Sequence, residues 1–168
     1  FLTNFGIKGV STLDLNENAD IKCSADNICL GNESYDIVTS IDTLEHIEKK
    51  SRAKVIDELI RIARVAVFVI VPVDTPENNY IEKMVIKYCD DINLKEHQRE
   101  GLVEHTWMVK TISKRKLQKI EIEDLDNLLT WASYSLFGKM DINELYRKLY
   151  FLENKFLPRR KLYALYKK

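Results

Sequence analysis

The stretch that decides the fold reads SYDIVTSIDTLEHI and occupies residues 34–47. Its first half, residues 35–41, is rich in β-branched and aromatic residues and has the length of a buried strand. The second half changes abruptly to polar residues, with Asp42, Glu45 and His46 close together. In an open parallel sheet, ligands bind beyond the carboxyl ends of the strands. We therefore expect these three side chains to lie where binding or chemistry takes place.

A helix and a second strand follow this stretch. Apolar residues at helical spacing predict an amphipathic helix with Ser51 as its N-cap and an ion pair between Asp57 and Arg61, four residues apart. The apolar run 65–71 then has the pattern of a strand buried on both faces, and it ends at Pro72. Strand, helix and strand form a βαβ unit, which belongs to a parallel sheet.

Further strands are predicted on both sides of this unit. Residues 10–15 read as a short strand with Asp14 at its end, and residues 21–24 alternate between apolar and polar in a second. Downstream, residues 116–123 alternate in the same way, and residues 162–166 form a terminal strand between basic flanks. These elements predict an α/β fold.

The C-terminal half is expected to carry helical insertions. Residues 73–115 begin with a helix and continue as a polar stretch over 93–104, so we interpret the whole segment as a lid or substrate segment. Residues 124–157 are predicted to form a helical insertion with Asp124 as the first cap. The chain, 1–168, is interpreted as a single domain.

Composition excludes several classes of protein. With 168 residues, of which 45% are hydrophobic, the chain has the size of one globular domain. Lys and Arg equal Asp and Glu at 26 each, so the net charge gives no argument for binding nucleic acid or a membrane surface. No apolar stretch approaches the roughly 20 residues of a membrane span.

The number and spacing of the three cysteines bear on disulfides, metal sites and cellular location. Cys23, Cys29 and Cys89 have neither the even count of a disulfide framework nor the paired spacing of a zinc site. We therefore expect no disulfide framework, no metal site and a cytoplasmic location.

The order of the motifs resembles the class I S-adenosylmethionine-dependent methyltransferases, in particular the small-molecule branch called methyltransferase type 11. In that family the fourth strand reads Tyr-or-Phe, Asp, hydrophobic and leads to Leu-Glu-His-Ile, and residues 35–38 and 44–47 match closely. A Glu-Leu-x-Arg-x-x-Arg helix follows, to which residues 58–64 are similar. The resemblance covers residues 8–72 well and the remainder in outline.

The resemblance implies a Rossmann-like sheet, mostly parallel with an antiparallel C-terminal strand. It also implies S-adenosylmethionine as the cofactor and a small or medium-sized molecule as the methyl acceptor. The cofactor contacts that it assigns are Asp14, Leu15, Ala25, Asp26, Ile41 and Asp42. Asp14 would bind the ribose hydroxyls, Asp26 the adenine amine, and Asp42 would face the methyl group.

Two histidines are candidate catalytic residues. Methyl transfer from a sulfonium is an in-line displacement, so one base that takes a proton from the acceptor is enough. His46 has a suitable ordinary pKa, and His105, between Glu104 and Trp107, could reach the site from the lid segment. For both, the simpler alternative is a histidine that only bonds to its surroundings. His97 is interpreted as a surface residue.

One part of the family pattern has no counterpart in the sequence. The family's first strand and its glycine-rich cofactor loop are absent, and Gly6 and Gly9 precede the second strand rather than follow the first. Strands 10–15 and 35–41 then lack the partner that the family places between them, and unpaired buried backbone is costly. We therefore expect a longer natural chain, and an inactive fragment if the loop is truly absent.

Two other classes of function stay open. An acid that ends the second strand also suits the ribose of NAD, so a Rossmann oxidoreductase is one alternative. A non-catalytic methyltransferase-like scaffold is the other.

Overall fold

The fold is taken from a computed structural model that describes residues 9–89, 92–125 and 159–167. Within these ranges the strands are β1 (Leu13–Asp14), β2 (Ile21–Lys22), β3 (Tyr35–Ile41), β4 (Ala63–Pro72), β5 (Lys119–Asp124) and β6 (Arg160–Tyr166). The helices are α1 (Lys49–Ile62), α2 (Pro76–Cys89), α3 (Ile92–Glu100) and α4 (His105–Ile112), with a 3₁₀ turn at Leu44–His46. The predicted helical insertion falls, beyond Leu125, outside the described residues.

The strands form two sheets. β1 and β2 pair in parallel, and the larger sheet has the order β3-β4-β6-β5. β3 and β4 are parallel, whereas β6 runs antiparallel to both of its neighbours. The α/β fold with an antiparallel C-terminal strand is therefore confirmed. Among the described residues no strand joins β1 to β3.

The core of the larger sheet is β4. Val67, Val69 and Val71 are fully buried on one face, and β3 and β6 flank the strand on its two edges. Each buried valine contributes about 1.5–3 kcal/mol relative to an exposed one. The apolar run of the sequence has a direct cause on this face, where the valines pack into the core. The prediction of burial on both faces holds only here, because Phe68 and Ile70 on the opposite face are partly exposed.

Helix α1 packs its apolar stripe on this sheet. Val55, Ile56, Leu59 and Ile62 are buried, and the chain passes from Ile62 directly into β4. The βαβ unit is therefore confirmed.

Two details of α1 differ from the prediction. The helix begins at Lys49 after Glu48, so Ser51 lies inside the helix and is not its N-cap. Arg61 pairs with Glu58 at 2.8 Å, whereas Asp57 pairs with Arg115 from another segment of the chain.

The segment after β4 is more regular than the sequence indicated. The polar stretch over 93–104, for which the sequence predicted no helix, is helical through Glu100, as part of α3. Asp124 is not a helix cap but the last residue of β5, where it pairs with Lys161 of β6. None of the helices in the described ranges is long and apolar enough to cross a membrane.

A buried arginine joins the turn after β3 to the end of α3. Arg52 is 3% exposed. Its guanidinium donates to the carbonyl oxygens of Glu45 (3.2 Å), Ile47 (2.9 Å), Glu100 (3.3 Å), Gly101 (2.6 Å) and Leu102 (3.3 Å). The last carbonyls of a helix lack partners within that helix, so this side chain also satisfies the C-terminal end of α3.

Two charged side chains of α1 bind the loop after β2. The Glu58 carboxylate accepts from the Ile28 backbone N–H at 2.8 Å, and Arg61 donates to the carbonyl oxygens of Ile28 and Leu30. The hydrogen bond from Arg61 lowers the pKa of Glu58 from its ordinary 4.5 to about 2. The ionised carboxylate therefore stabilises the folded chain.

We expect Arg52→Met to lower the free energy of unfolding by about 3 kcal/mol, because several carbonyl oxygens lose a charged donor and each such loss costs about 1–3 kcal/mol. Chemical denaturation measures the change. The control is Lys50→Met on the same helix, where the side chain is 81% exposed and the expected change is within about 0.5 kcal/mol. Equal effects of the two substitutions would contradict the role given to Arg52.

We expect Glu58→Gln to remove part of the acid sensitivity of folding. A carboxyl whose pKa is lowered in the folded state contributes stability above its unfolded pKa and loses it as the pH falls through the folded value. The gap in unfolding free energy between wild type and Glu58→Gln should therefore shrink as the pH falls from 4.5 towards 2. Denaturation curves at a series of pH values measure it, and a gap independent of pH would show that the ion pair is not responsible.

Candidate functional site

The candidate site begins at the carboxyl end of β3. Asp42 has a φ of 45°, in the left-handed region that Asp tolerates better than most residues. Its backbone N–H donates to the carbonyl oxygen of Ile70 at 2.9 Å, which continues the pairing with β4. Arg160 of β6 donates to its carboxylate at 2.8 Å. The backbone and β6 together therefore fix Asp42 at the strand tip.

Glu45 lies in the 3₁₀ turn that follows. Its side chain is fully buried, and neither carboxylate oxygen has a hydrogen-bond partner among the described residues. Burial, with the neighbouring charge of Asp42 adding to it, raises the pKa of Glu45 to about 7. A buried acid that accepts no hydrogen bond from another described residue is unusual, because native structures pair nearly all such groups.

Two histidine rings meet beside Glu45. The Nε2 atoms of His46 and His97 are 3.3 Å apart, and their ring centroids are 4.7 Å apart. The Nε2 of His97 lies 3.9 Å from Oε1 of Glu45. Three chemically active side chains from two segments of the chain thus converge on one point.

The far side of His97 is held by a buried carboxylate. Oε1 of Glu82 in α2 lies 3.1 Å from Nδ1 of His97 and 3.3 Å from Nη2 of Arg159, while Gln98 donates to Oε2. Glu82 and Arg159 are both buried. With Nδ1–H donating to this carboxylate, the neutral ring of His97 keeps its lone pair on Nε2, on the side of His46.

The prediction of His97 as a surface residue is wrong, because the side chain is 5% exposed. α3 packs against the 3₁₀ turn, and the polar neighbours of His97 in the sequence conceal this buried position. Glu82 and Arg159 were missed as well. A signal did exist for Glu82, since it lies among Ile81 and Val85 in the apolar stripe of α2.

The predicted ribose ligand lies at the end of β1. Oδ1 of Asp14 accepts from the backbone N–H of Asn16 at 2.9 Å, which fixes the carboxylate in a local turn. Leu15 beside it is 67% exposed. Ile41, at the end of β3, is 53% exposed and lies on the same strand face as Ile37.

The predicted adenine segment follows β2. Oδ1 of Asp26 accepts from the Ser24 hydroxyl at 2.5 Å, and Oδ2 lies 3.9 Å from Nζ of Lys54. Ala25 is partly buried and packs against the core. Asp26 is therefore ordered by its neighbours.

A disulfide joins Cys23 to Cys29 around this segment, with their Cα atoms 6.1 Å apart. The expectation drawn from the odd cysteine count is wrong on this point. One pair can form from three cysteines when a short loop brings two of them together, and β2 ends where this loop begins.

His105 has different neighbours from His46. It is the first residue of α4, and its Nδ1 lies 2.9 Å from the Tyr163 hydroxyl. Burial and the charge of Lys161 lower its pKa. This shift favours the neutral form of the ring.

The comparisons with known proteins concern the fold. No protein-family model and no curated protein sequence matches the chain. Among solved structures, it is similar to a SAM-dependent methyltransferase from Archaeoglobus fulgidus, with a TM-score of 0.58 and 15% identity over 92% of this chain and 74% of the other. A candidate methyltransferase from Bacillus halodurans C-125 has a TM-score of 0.57 and 14% identity over 98% and 85%.

A third similar structure is phosphoethanolamine N-methyltransferase 2 from Haemonchus contortus, in complex with phosphomonomethylethanolamine and S-adenosylhomocysteine. Its TM-score is 0.53, with 16% identity over 87% of this chain and 36% of the other. The chain therefore has the fold of the S-adenosylmethionine-dependent methyltransferases, and the fold implied by the sequence resemblance is confirmed.

We expect protein purified without reductant to contain one free thiol per chain after denaturation, because three cysteines less the two of the Cys23–Cys29 bridge leave Cys89. Thiol titration with a chromogenic disulfide reagent measures it, and prior reduction is the positive control that should give all three. Three thiols in the unreduced protein would contradict the bridge.

Proposed function

We propose that this chain binds S-adenosylmethionine and transfers its methyl group to a small or medium-sized acceptor. The observation that carries the proposal is the placement of Asp14 and Asp42 at the carboxyl ends of parallel strands in a methyltransferase fold. In open α/β sheets ligands bind at this edge. The similar enzyme from H. contortus is itself in complex with S-adenosylhomocysteine.

Asp14 is the proposed ribose ligand. A carboxylate can accept from two vicinal hydroxyls, and such charge-assisted hydrogen bonds are stronger than neutral ones. The bond from Asn16 occupies Oδ1 and orients the group, while Oδ2 remains available as an acceptor. The exposed side chain of Leu15 offers an apolar contact next to it.

The adenine and the methyl group are assigned to the next two strand ends. Asp26, held by Ser24, would accept from the adenine amine, with Ala25 beside the ring. Asp42, with Ile41 before it, would face the sulfonium. The carboxylate of Asp42 suits a cationic donor, and its ion pair with Arg160 holds it in place.

Methyl transfer requires that the donor and the acceptor are oriented in line, and that one group accepts a proton. An acceptor lone pair attacks the methyl carbon as the bond from that carbon to sulfur breaks, so the protein acts mainly by holding the two in line. His46 and His105 remain the proposed bases. His105 can act when its Nδ1–H donates to the oxygen of Tyr163, because its Nε2 then keeps a lone pair.

Titration of the full-length protein with S-adenosylhomocysteine and, separately, with NAD tests the choice of cofactor. We expect heat of binding with S-adenosylhomocysteine and none with NAD. Binding of NAD alone would favour the oxidoreductase, and binding of neither would favour the scaffold.

Calorimetric titration with S-adenosylhomocysteine also tests the role of Asp14. We expect Asp14→Asn to weaken the binding of S-adenosylhomocysteine about 10- to 100-fold, since one charge-assisted hydrogen bond of about 1.5–3 kcal/mol is lost. Glu17→Gln is the matched control, because this neighbouring acid is 90% exposed and should leave the affinity unchanged. Equal affinities of the two variants would remove Asp14 from the site.

A further inference from the structure

We infer that Glu45, His46 and His97 form a binding site for a divalent transition-metal cation, with Zn²⁺ the ion that best matches their donor atoms. The inference concerns a cation held by the turn after β3 and by α3, and it does not depend on methyl transfer. The sequence predicted no metal site, because the ligands lie 51 residues apart and show no recognisable spacing.

The distances between the three donors suit one small ion. One ligand atom from each residue lies within 4.8 Å of the others. The two imidazole Nε2 atoms are 3.3 Å apart, and Oε1 of Glu45 is 3.9 Å from Nε2 of His97. A tetrahedral ion with bonds of about 2.0–2.2 Å separates its ligands by roughly 3.3–3.6 Å.

The state of Glu45 supplies the second observation. Both of its oxygens are buried without a hydrogen-bond partner among the described residues. Taking a carboxylate out of water costs several kcal/mol unless a partner compensates for it. Arg52 does not compensate, since it donates to the backbone carbonyl of Glu45 and not to its side chain. A cation between Glu45 and the two imidazoles would provide the missing partner.

The surroundings of His97 are those of a metal ligand. A metal-bound histidine usually donates its other ring N–H to a carboxylate, which fixes the tautomer and raises the basicity of the ligand atom. Glu82 occupies that position at 3.1 Å from Nδ1 of His97. Arg159 at 3.3 Å from Glu82 balances the charge of this outer carboxylate.

The donor set selects the class of ion. Two imidazoles and one carboxylate suit Zn²⁺ and its neighbours in the first transition series, whereas Mg²⁺ and Ca²⁺ prefer sites made of oxygen. Three protein ligands leave a fourth position for water or for an oxygen or nitrogen of a substrate. An ion here would use the Nε2 lone pair of His46, and the role of base in the proposed methyl transfer would then fall to His105.

Calorimetric titration of chelator-treated, full-length protein with Zn²⁺ alone tests the site. We expect one ion per chain and a loss of affinity of more than about 100-fold in Glu45→Gln, His46→Gln and His97→Gln. Glu82→Gln, a change in a positioning residue, should weaken binding about 10- to 100-fold. His105→Gln replaces the third histidine of the chain, which lies outside the cluster, and should bind Zn²⁺ as the wild type does.

A second readout keeps the test decisive if a buried substitution unfolds the chain. Circular dichroism checks each variant, and Co²⁺ is added to the wild type as a coloured substitute for Zn²⁺. Visible d–d bands without a thiolate charge-transfer band support nitrogen and oxygen ligands. The inference is overturned by a thiolate band, by absence of Zn²⁺ binding, or by a folded His46→Gln that binds as tightly as the wild type. The affinity for S-adenosylhomocysteine is measured separately, without metal. It tests the proposed function alone, so that a failure of that proposal can be told apart from a failure of the metal site.

Discussion

The guanidinium of Arg52 is the contact on which the site depends. It binds carbonyl oxygens of the turn that carries Glu45 and of the segment that ends α3, about 50 residues further along the chain. A cation at a helix C-terminus also interacts favourably with the helix dipole. Gly101 makes the junction possible, since its φ of +79° lies in the left-handed region that favours glycine and lets α3 end there. The two histidines meet because these backbones are joined.

The part of the fold that could be predicted from sequence is the part governed by burial of apolar side chains. β4 follows from its apolar run, and α1 follows from its apolar stripe, whereas β3 follows from its content of β-branched and aromatic residues. The ends of α1 and its ion pairs could not be predicted. Ser51 had the right chemistry for a cap, but the chain enters the helix at Lys49. Arg61 had acids three and four residues away, and only the loop at Ile28 decides in favour of Glu58.

The candidate site also contains residues that could be predicted from the sequence and residues that could not. Asp42, Glu45 and His46 were predicted together because they follow one strand in the sequence. His97 could not be added, since hydropathy assigns polar residues to the surface unless a partner distant in sequence is known. For Glu82 the only signal was its position in the apolar stripe of α2. Exposed positions such as Asp14 and Ile41 suit a cofactor that arrives from solvent, whereas the buried Glu45 cluster suits a small ion. The exposed residues and the buried cluster therefore suit two different ligands.

The central claim is that a methyl donor binds beyond the carboxyl ends of β1, β2 and β3. A crystal structure of the full-length protein with S-adenosylhomocysteine tests this claim most directly. We expect the ribose hydroxyls within hydrogen-bond distance of the Asp14 carboxylate and the sulfur on the side of Asp42. A ligand bound at the amino ends of the strands, or a ribose without contact to Asp14, would contradict the account.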